Sequence, residues 1–295
     1  MITTNSAKII DGKLVSAETR KRIAEECKEF KEKTGITPGL AVILVGDDNA
    51  SQIYVRNKHR ACEEVGFISK SFTLPSDTDE KTLISLIEEL NNDKEIHGIL
   101  LQLPLPRQLD EKKILLSISP EKDVDAFHPI NVGKIMIGDY TFAPCTPSGV
   151  MTLLKYYNID IAGKECVVVG RSNIVGKPQA LLLLAENGTV TIAHSKTKNL
   201  KEVCLRADIL VVAVGKAKIV TADMIKPGAV VIDVGMNRDV FGKLCGDVDF
   251  ENAVRVASFI TPVPGGVGPM TITTLMDNTL KAAKQYYLKN QNKEI

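Results

Sequence analysis

Apolar and polar positions along this chain fall into two series of alternating strand-like and helix-like segments, separated by an irregular stretch. Residues 17–33 mix charged and apolar positions at helical spacing, with Ser16 placed to cap them. Thr37-Pro38-Gly39 makes a turn, and Leu40 to Val45 is then an unbroken apolar run, the pattern of a parallel strand covered on both faces. The spacing predicts a helix at about 50–65, a strand near 67–73, a helix near 79–91 and a short strand from His97 to Leu101. Between about 103 and 147 the pattern breaks down into Pro, Asp and Gly, and a loop region that long inside a compact protein is usually functional.

Thr146-Pro147 suits the opening of a helix, Thr as cap and Pro in the first turn. The second series follows: strands at Cys166–Val169, Thr189–Ala193, Ile209–Val214 and Ala229–Val234, with a helix at 175–187. A Pro/Gly stretch from Thr261 to Pro269 precedes a closing helix, about Thr271 to Leu288, and the tail Lys289–Ile295 is expected to fray. Strands joined by helices read as parallel βα units. The expected architecture is α/β, two αβ domains with a cleft between them, the second a Rossmann-like dinucleotide-binding domain. The expected boundaries are 1–147 and 148–276, with the last helix, 277–295, packing back on the first domain.

Composition narrows the classes. Hydrophobic residues make up 44% and charged residues 25%, a globular balance that excludes a disordered chain. With 37 Lys+Arg against 36 Asp+Glu the net charge is +1, which argues against a nucleic-acid surface. No apolar run approaches the roughly 18–20 residues of a membrane span, and the first residues lack the pattern of a signal peptide. Six scattered cysteines without a C-x-x-C pair read as reduced thiols, and a cytoplasmic location is expected. Four widely spaced histidines offer no metal-ligand cluster, so no metal is expected.

Val167 to Pro178 sits at a strand-to-helix junction, where a Rossmann fold binds pyrophosphate on backbone N–H groups and the positive end of a helix. The segment departs from G-x-G-x-x-G: Ser172 stands for the second glycine, and Gly176 comes four residues after it. The next strand ends in His194-Ser195-Lys196-Thr197, with no carboxylate to accept a ribose 2′-OH. A hydroxyl and a cation stand there instead, and Arg171 can approach the same corner. That combination suits a 2′-phosphate, so NADP is expected over NAD. Ala213-Val214-Gly215 and Asp233-Val234-Gly235-Met236 end the next strands with small residues that let a cofactor pass, although turn chemistry accounts for either.

Tyr54 and Lys58 stand four apart and share a helix face. A desolvated lysine there drops toward the range useful for proton transfer, while a solvated surface lysine beside a half-buried tyrosine fits the same spacing and is favoured by these two residues alone. Gln102 is a lone amide ending an apolar strand, costly to bury without a partner. Asp123 and Asp125 flank Val124: as a pair they suit a metal, and singly either suits an amino-pyrimidine edge or a loop cap. Pro262 to Thr271 holds three glycines and three prolines in ten residues, a tightly fixed backbone path leading into a helix N-terminus.

Taken together, Tyr54-Val55-Arg56-Asn57-Lys58, Leu101 to Pro106, Lys122-Asp123-Val124-Asp125, Gly170 to Pro178 and Pro262 to Thr271 resemble the motifs of bifunctional methylenetetrahydrofolate dehydrogenase/methenyltetrahydrofolate cyclohydrolases, in order and across nearly the whole chain. The resemblance implies NADP-linked oxidation of 5,10-methylenetetrahydrofolate, then hydrolysis to 10-formyltetrahydrofolate, on a homodimer. It implies Lys58 as the central catalytic residue with Tyr54 and Gln102, and Asp125, Tyr54, Pro264 and Gly265 at the substrate. It further implies Gly170, Arg171, Ser172, Ser195, Met236, Gly268 and Thr271 at the cofactor. Ala126 and Met236 depart from the family's usual Gly and Ile. An NADP dehydrogenase for another small substrate, and a non-catalytic NADP sensor, are the competing readings of the same residues.

Overall fold

The structure, a computed structural model, describes residues 6–47 and 49–291. In chain order it runs β1 (Lys8–Ile9), α1 (Gly12–Thr34), β2 (Gly39–Val45), α2 (Asn49–Val65), β3 (Ile68–Leu74), α3 (Glu80–Asn92), β4 (Gly98–Leu101), α4 (Glu111–Ser117), α5 (Pro129–Ile137) and α6 (Cys145–Tyr156). It continues through β5 (Glu165–Val169), α7 (Gly176–Ala185), β6 (Thr189–Ala193), α8 (Leu200–Leu205), β7 (Ile209–Val212), β8 (Val230–Asp233), β9 (Asn237–Arg238), β10 (Leu244–Cys245), α9 (Phe250–Ala253), β11 (Phe259–Ile260) and α10 (Val267–Gln291). The chain divides into two units: one holds residues up to Ala17 and Thr146–Thr271, the other Glu18–Cys145 and Ile272 onward.

In the unit starting at Glu18, β3, β2 and β4 form a parallel sheet with β2 in the middle. Alternate residues of β2 face opposite layers, which is why its sequence is apolar without interruption. Leu40 and Val42, with Leu100 of β4, pack on Ile23 and Cys27 of α1, Ala61, Cys62 and Val65 of α2, and Leu275, Met276 and Leu280 of α10. Ala41, Ile43 and Val45 pack on Leu83, Ile87 and Leu90 of α3 and Ile114 of α4. Each such side chain, fully buried, contributes about 1.5–3 kcal/mol. The stretch read as irregular contains two short helices. Asp110 caps α4 by accepting from Lys113 N at 3.1 Å, and the His128 imidazole caps α5 by accepting from Ile130 N at 3.2 Å. At seven and nine residues they are too short to show a helical period in the sequence.

The other unit carries a six-stranded parallel sheet ordered β1-β11-β8-β7-β5-β6. Val167, Val169, Leu210, Val212 and Val231 point to one layer, with Cys204 of α8 and Ala253 of α9. Cys166, Val168, Val211 and Ile232 point to the other, with Leu153 and Leu154 of α6 and Ala180 and Leu183 of α7. The order reverses at β5, with β6 on one side and β7 on the other, the topological switch point at which doubly wound sheets bind ligands.

Residues 6–17 do not join the first domain as expected. Lys8–Ile9 pair with Phe259–Ile260, and Ile10 and Val15 enter the core of the six-stranded unit. A two-residue strand leaves no periodicity to read. Nor does Ser16 cap α1: the helix starts at Gly12, Asp11 Oδ1 accepts from Lys13 N and Leu14 N at 2.9 and 3.1 Å, and Ser16 Oγ donates to Pro269 O at 3.3 Å. The last helix also starts earlier than expected, at Val267, so Gly268 and Thr271 lie in its opening turns.

Candidate active site

In the smaller sheet's unit, Lys58 projects from α2 and is only 9% exposed. Its Nζ donates to Gln102 Oε1 at 2.8 Å. Gln102 follows β4, where its backbone N–H still binds Ile43 O, and its own Nε2 donates to Leu103 O at 2.7 Å. That second bond fixes the amide with its carbonyl toward the lysine. The costly amide at the strand end therefore has both partners.

Asp125 is positioned by the segment before it, which runs beside β4 through a parallel bridge between Ile99 and Asp123. Asp123 is buried and structural: its Oδ2 accepts from His128 N and Asn131 Nδ2, both at 2.8 Å. Asp125 instead lies within electrostatic reach of Lys58. The two aspartates, alike in sequence, are thus separated in role, and among the described residues no cluster of three His, Cys, Asp or Glu could hold a metal.

Burial pushes the Lys58 pKa below its ordinary value, while Asp125 pulls it part of the way back. Burial raises the Asp125 carboxyl, with Lys58 opposing. The result is an amine that gives up its proton more readily than an exposed lysine, beside a carboxylate that keeps it from doing so too early. Tyr54 lies one turn before Lys58 on α2; its side chain falls outside the described residues.

Two further residues belong to this cluster. Cys145, at the start of α6, is buried against Asp125, and burial holds its thiol well above the usual range, so it is a neutral donor whose Sγ reaches Val124 O at 3.5 Å. Asn278 of α10 donates through Nδ2 to Val124 O at 2.8 Å and Ala143 O at 3.0 Å, tying the last helix to the loop that presents Asp125. Its partners are backbone carbonyls far away in the chain, so no local signal in the sequence points to it.

In the six-stranded unit, β5 runs into Gly170 and then α7. Gly170 has φ +135°, and a Cβ there would lie 2.2 Å from Ala213 O; one on Gly176 would lie 2.3 Å from Gly170 O. Both positions need glycine for strand, turn and helix to pack this closely. Ser172 Oγ accepts from Val175 N at 3.1 Å and Gly176 N at 3.2 Å, so the residue replacing the second glycine closes the turn that leads into α7. Val169 pairs with Ala193, so Gly170-Arg171 and His194-Ser195 leave the sheet at neighbouring strand ends. Arg171 and Ser195 are exposed. The cradle for a pyrophosphate and the carboxylate-free corner for a 2′-phosphate are both present, so the residues fit NADP.

Met236 is half exposed after β8, and a Cβ on Gly268 would stand 3.5 Å from its methyl group, which brings these two residues together. Thr271 Oγ1 is within 3.0 Å of Thr146 Oγ1, and α6 begins at Cys145, so Thr146 lies inside the helix and does not cap it. Pro264 and Gly265 lie between β11 and α10, Gly265 with φ +106°.

The model described as "Tetrahydrofolate dehydrogenase/cyclohydrolase, catalytic domain" matches residues 10–125, and that described as the family's "NAD(P)-binding domain" matches residues 144–287. The "Bifunctional protein FolD" of Acetivibrio thermocellus is 60% identical over 278 residues, 94% of this chain and 97% of the relative. The bifunctional FolD methylenetetrahydrofolate dehydrogenase/cyclohydrolase structure from Campylobacter jejuni superposes with TM-score 0.93 at 49% identity, covering 95% of this chain and 99% of that one. The Trypanosoma brucei enzyme, solved with NADP cofactor and inhibitor, gives TM-score 0.91 at 40% identity, covering 95% and 98%. Fold, paired site residues and both domain matches agree: the chain belongs to the tetrahydrofolate dehydrogenase/cyclohydrolase family.

Proposed function

We propose that this protein oxidises 5,10-methylenetetrahydrofolate with NADP and hydrolyses the resulting 5,10-methenyl cation to 10-formyltetrahydrofolate, in one-carbon folate metabolism. The observation that carries the reading is the buried Lys58 amine, held on Gln102 and set beside Asp125. Asp125 accepts N–H bonds from the amino-pyrimidine edge of the pterin. Pro264 and Gly265 border the substrate, and Tyr54 assists on the α2 face.

As hydride leaves the bridging carbon, positive charge spreads over its two nitrogens, and a charged lysine nearby would oppose that step. Burial keeps Lys58 neutral more readily, and its bond to Gln102 aims it. In the second step Lys58 takes a proton from the water that attacks the methenyl carbon; the carbinol O–H then gives up its proton as the bond from that carbon to N5 breaks and N5 takes up a proton, leaving the formyl group on N10. A positioned base of this kind contributes roughly 10²–10⁴-fold.

NADP, when bound, supplies the hydride acceptor. Gly170 and Ser172 take its pyrophosphate at α7, Arg171 and Ser195 its 2′-phosphate, and Met236, Gly268 and Thr271 complete the cofactor contacts. The chain acts as a homodimer, and Val240 and Phe241, more than 90% exposed at the β9–β10 turn, are surface that a second copy would cover. Free cysteines suit the cytoplasm.

Lys58→Met tests the assignment. Its hydrolysis of methenyltetrahydrofolate, followed by absorbance, is expected to fall at least about 100-fold. Unchanged hydrolysis refutes it.

A further inference from the structure

The six-stranded unit contains a second pair of buried aspartates that the reaction above does not use. Asp247 is fully buried and follows β10. Its Oδ2 accepts from Val214 N at 2.7 Å and Gly215 N at 3.0 Å; its Oδ1 accepts from Lys216 N at 2.7 Å and Asn237 Nδ2 at 2.8 Å. Asp233, 2% exposed at the end of β8, accepts from Gly235 N at 3.0 Å and from Asp247 N and Val248 N at 2.9 Å each. Among the described residues, neither carboxyl forms an ion pair with a lysine or arginine. Seven N–H donors, six of them backbone, serve in place of a cation.

The two segments are made for each other. A Cβ on Gly235 would lie 2.3 Å from Asp247 Cγ, and a Cβ on Gly246 would lie 1.8 Å from Asp233 Oδ2. Each segment therefore contributes one carboxyl and one glycine, and each glycine admits the other's carboxyl. What they fasten are the turns after β7 (Val214–Lys216) and after β8 (Gly235–Asn237), at the carboxyl ends of strands on the side of β5 away from β6. A dinucleotide bound across the switch point at β5, with its 2′-phosphate at the end of β6, would lay its nicotinamide half over these two turns.

We infer that Asp247 is a positioning residue for the nicotinamide half of the cofactor, holding the β7 and β8 turns in the shape that receives it, with Asp233 and the two glycines completing the lock. The inference rests on the NADP reading above. It does not touch the adenosine end, which separates it from a general role in folding.

The test is Asp247→Asn in the full chain, with calorimetric binding of NADPH and of adenosine 2′,5′-bisphosphate, which reads the adenosine end alone, at the turns after β5 and β6. An amide places its NH₂ against two of the four donors. NADPH affinity is expected to fall about 10-fold or more, with adenosine 2′,5′-bisphosphate changing less than about 2-fold. Equal losses for both ligands, or no loss for NADPH, overturn the inference. Failure of the unaltered protein to bind NADPH defeats the NADP reading itself. If Asp247→Asn does not fold, Asn237→Ala removes a single donor and is expected to weaken NADPH alone by about 3-fold; an unchanged NADPH affinity contradicts the inference.

Discussion

Two buried polar clusters in this molecule use the same residue type to opposite ends. In one, Asp125 faces the amine of Lys58, and the pair adjusts each other's proton affinity. In the other, Asp233 and Asp247 face backbone N–H groups, and what they adjust is the path of the chain. A carboxylate beside a cation in a poorly solvated site tunes chemistry; one surrounded by amides fixes geometry. The first cluster should therefore respond to substitution in its rates and pH profile, the second in ligand fit and in stability.

The largest effect belongs to the first cluster. Asp125→Asn is expected to lower kcat/KM for both reactions by about 100-fold, the loss of a charge-assisted pair of bonds to the pterin. Because Asp125 raises the Lys58 pKa, removing its charge lets that pKa fall further. The acid limb of the hydrolysis rate, which rises as Lys58 becomes neutral, then moves to lower pH. A limb displaced to higher pH, measured across a buffer series, breaks the contrast between the clusters.

A smaller effect is expected where neither cluster reaches. Arg171→Ala should weaken NADP by about 10–100-fold, the range of a charge-assisted hydrogen bond to phosphate, with NAD little changed. Comparison of KM for the two dinucleotides checks this, and equal losses mean that Arg171 does not read the 2′-phosphate.

The smallest effect is a stability slope in the second cluster. Burial pushes the Asp233 carboxyl up to about 7 from 3.8, with Asp247 adding to the rise. Between these values the folded protein binds more protons than the unfolded chain, so this group's contribution falls as pH rises through the window and is level above it. The stability gap between the unaltered protein and Asp233→Asn should narrow from about pH 5 to about pH 7 in denaturant titrations. A gap that widens across this range contradicts the assignment.

What could be read in the sequence tracks how local each signal is. The parallel strands were legible because both faces of β2, β5 and β7 are covered, which leaves unbroken apolar runs. Gly170 and Gly176 were legible because a tight strand-to-helix turn admits little else at those positions. Gln102 was visible as a polar residue in a costly place, whereas Lys58 and Asp125 stood out only through the family resemblance, and the structure brings these three together.

Cys145 and Asn278 were missed because their partners lie far off in the chain: Asn278 bonds a carbonyl 154 residues away. The Asp233–Asp247 lock was missed for a related reason. Six of its seven donors are backbone amides, which every residue but proline carries, so little besides the two glycines betrays it. The attachment of residues 6–17 to the six-stranded unit rests on a two-residue strand and a few buried side chains, below the length at which a pattern exists.

The account depends most on an amine that burial inclines to neutrality. Titration of the Lys58 side chain by NMR, with lysine labelled at Cε and the signal assigned through Lys58→Met, measures this directly. The account predicts a pKa below the ordinary 10.5. A value at or above 10.5 would contradict it, because a lysine that holds its proton so firmly is no base for the hydrolytic step and opposes the departure of hydride.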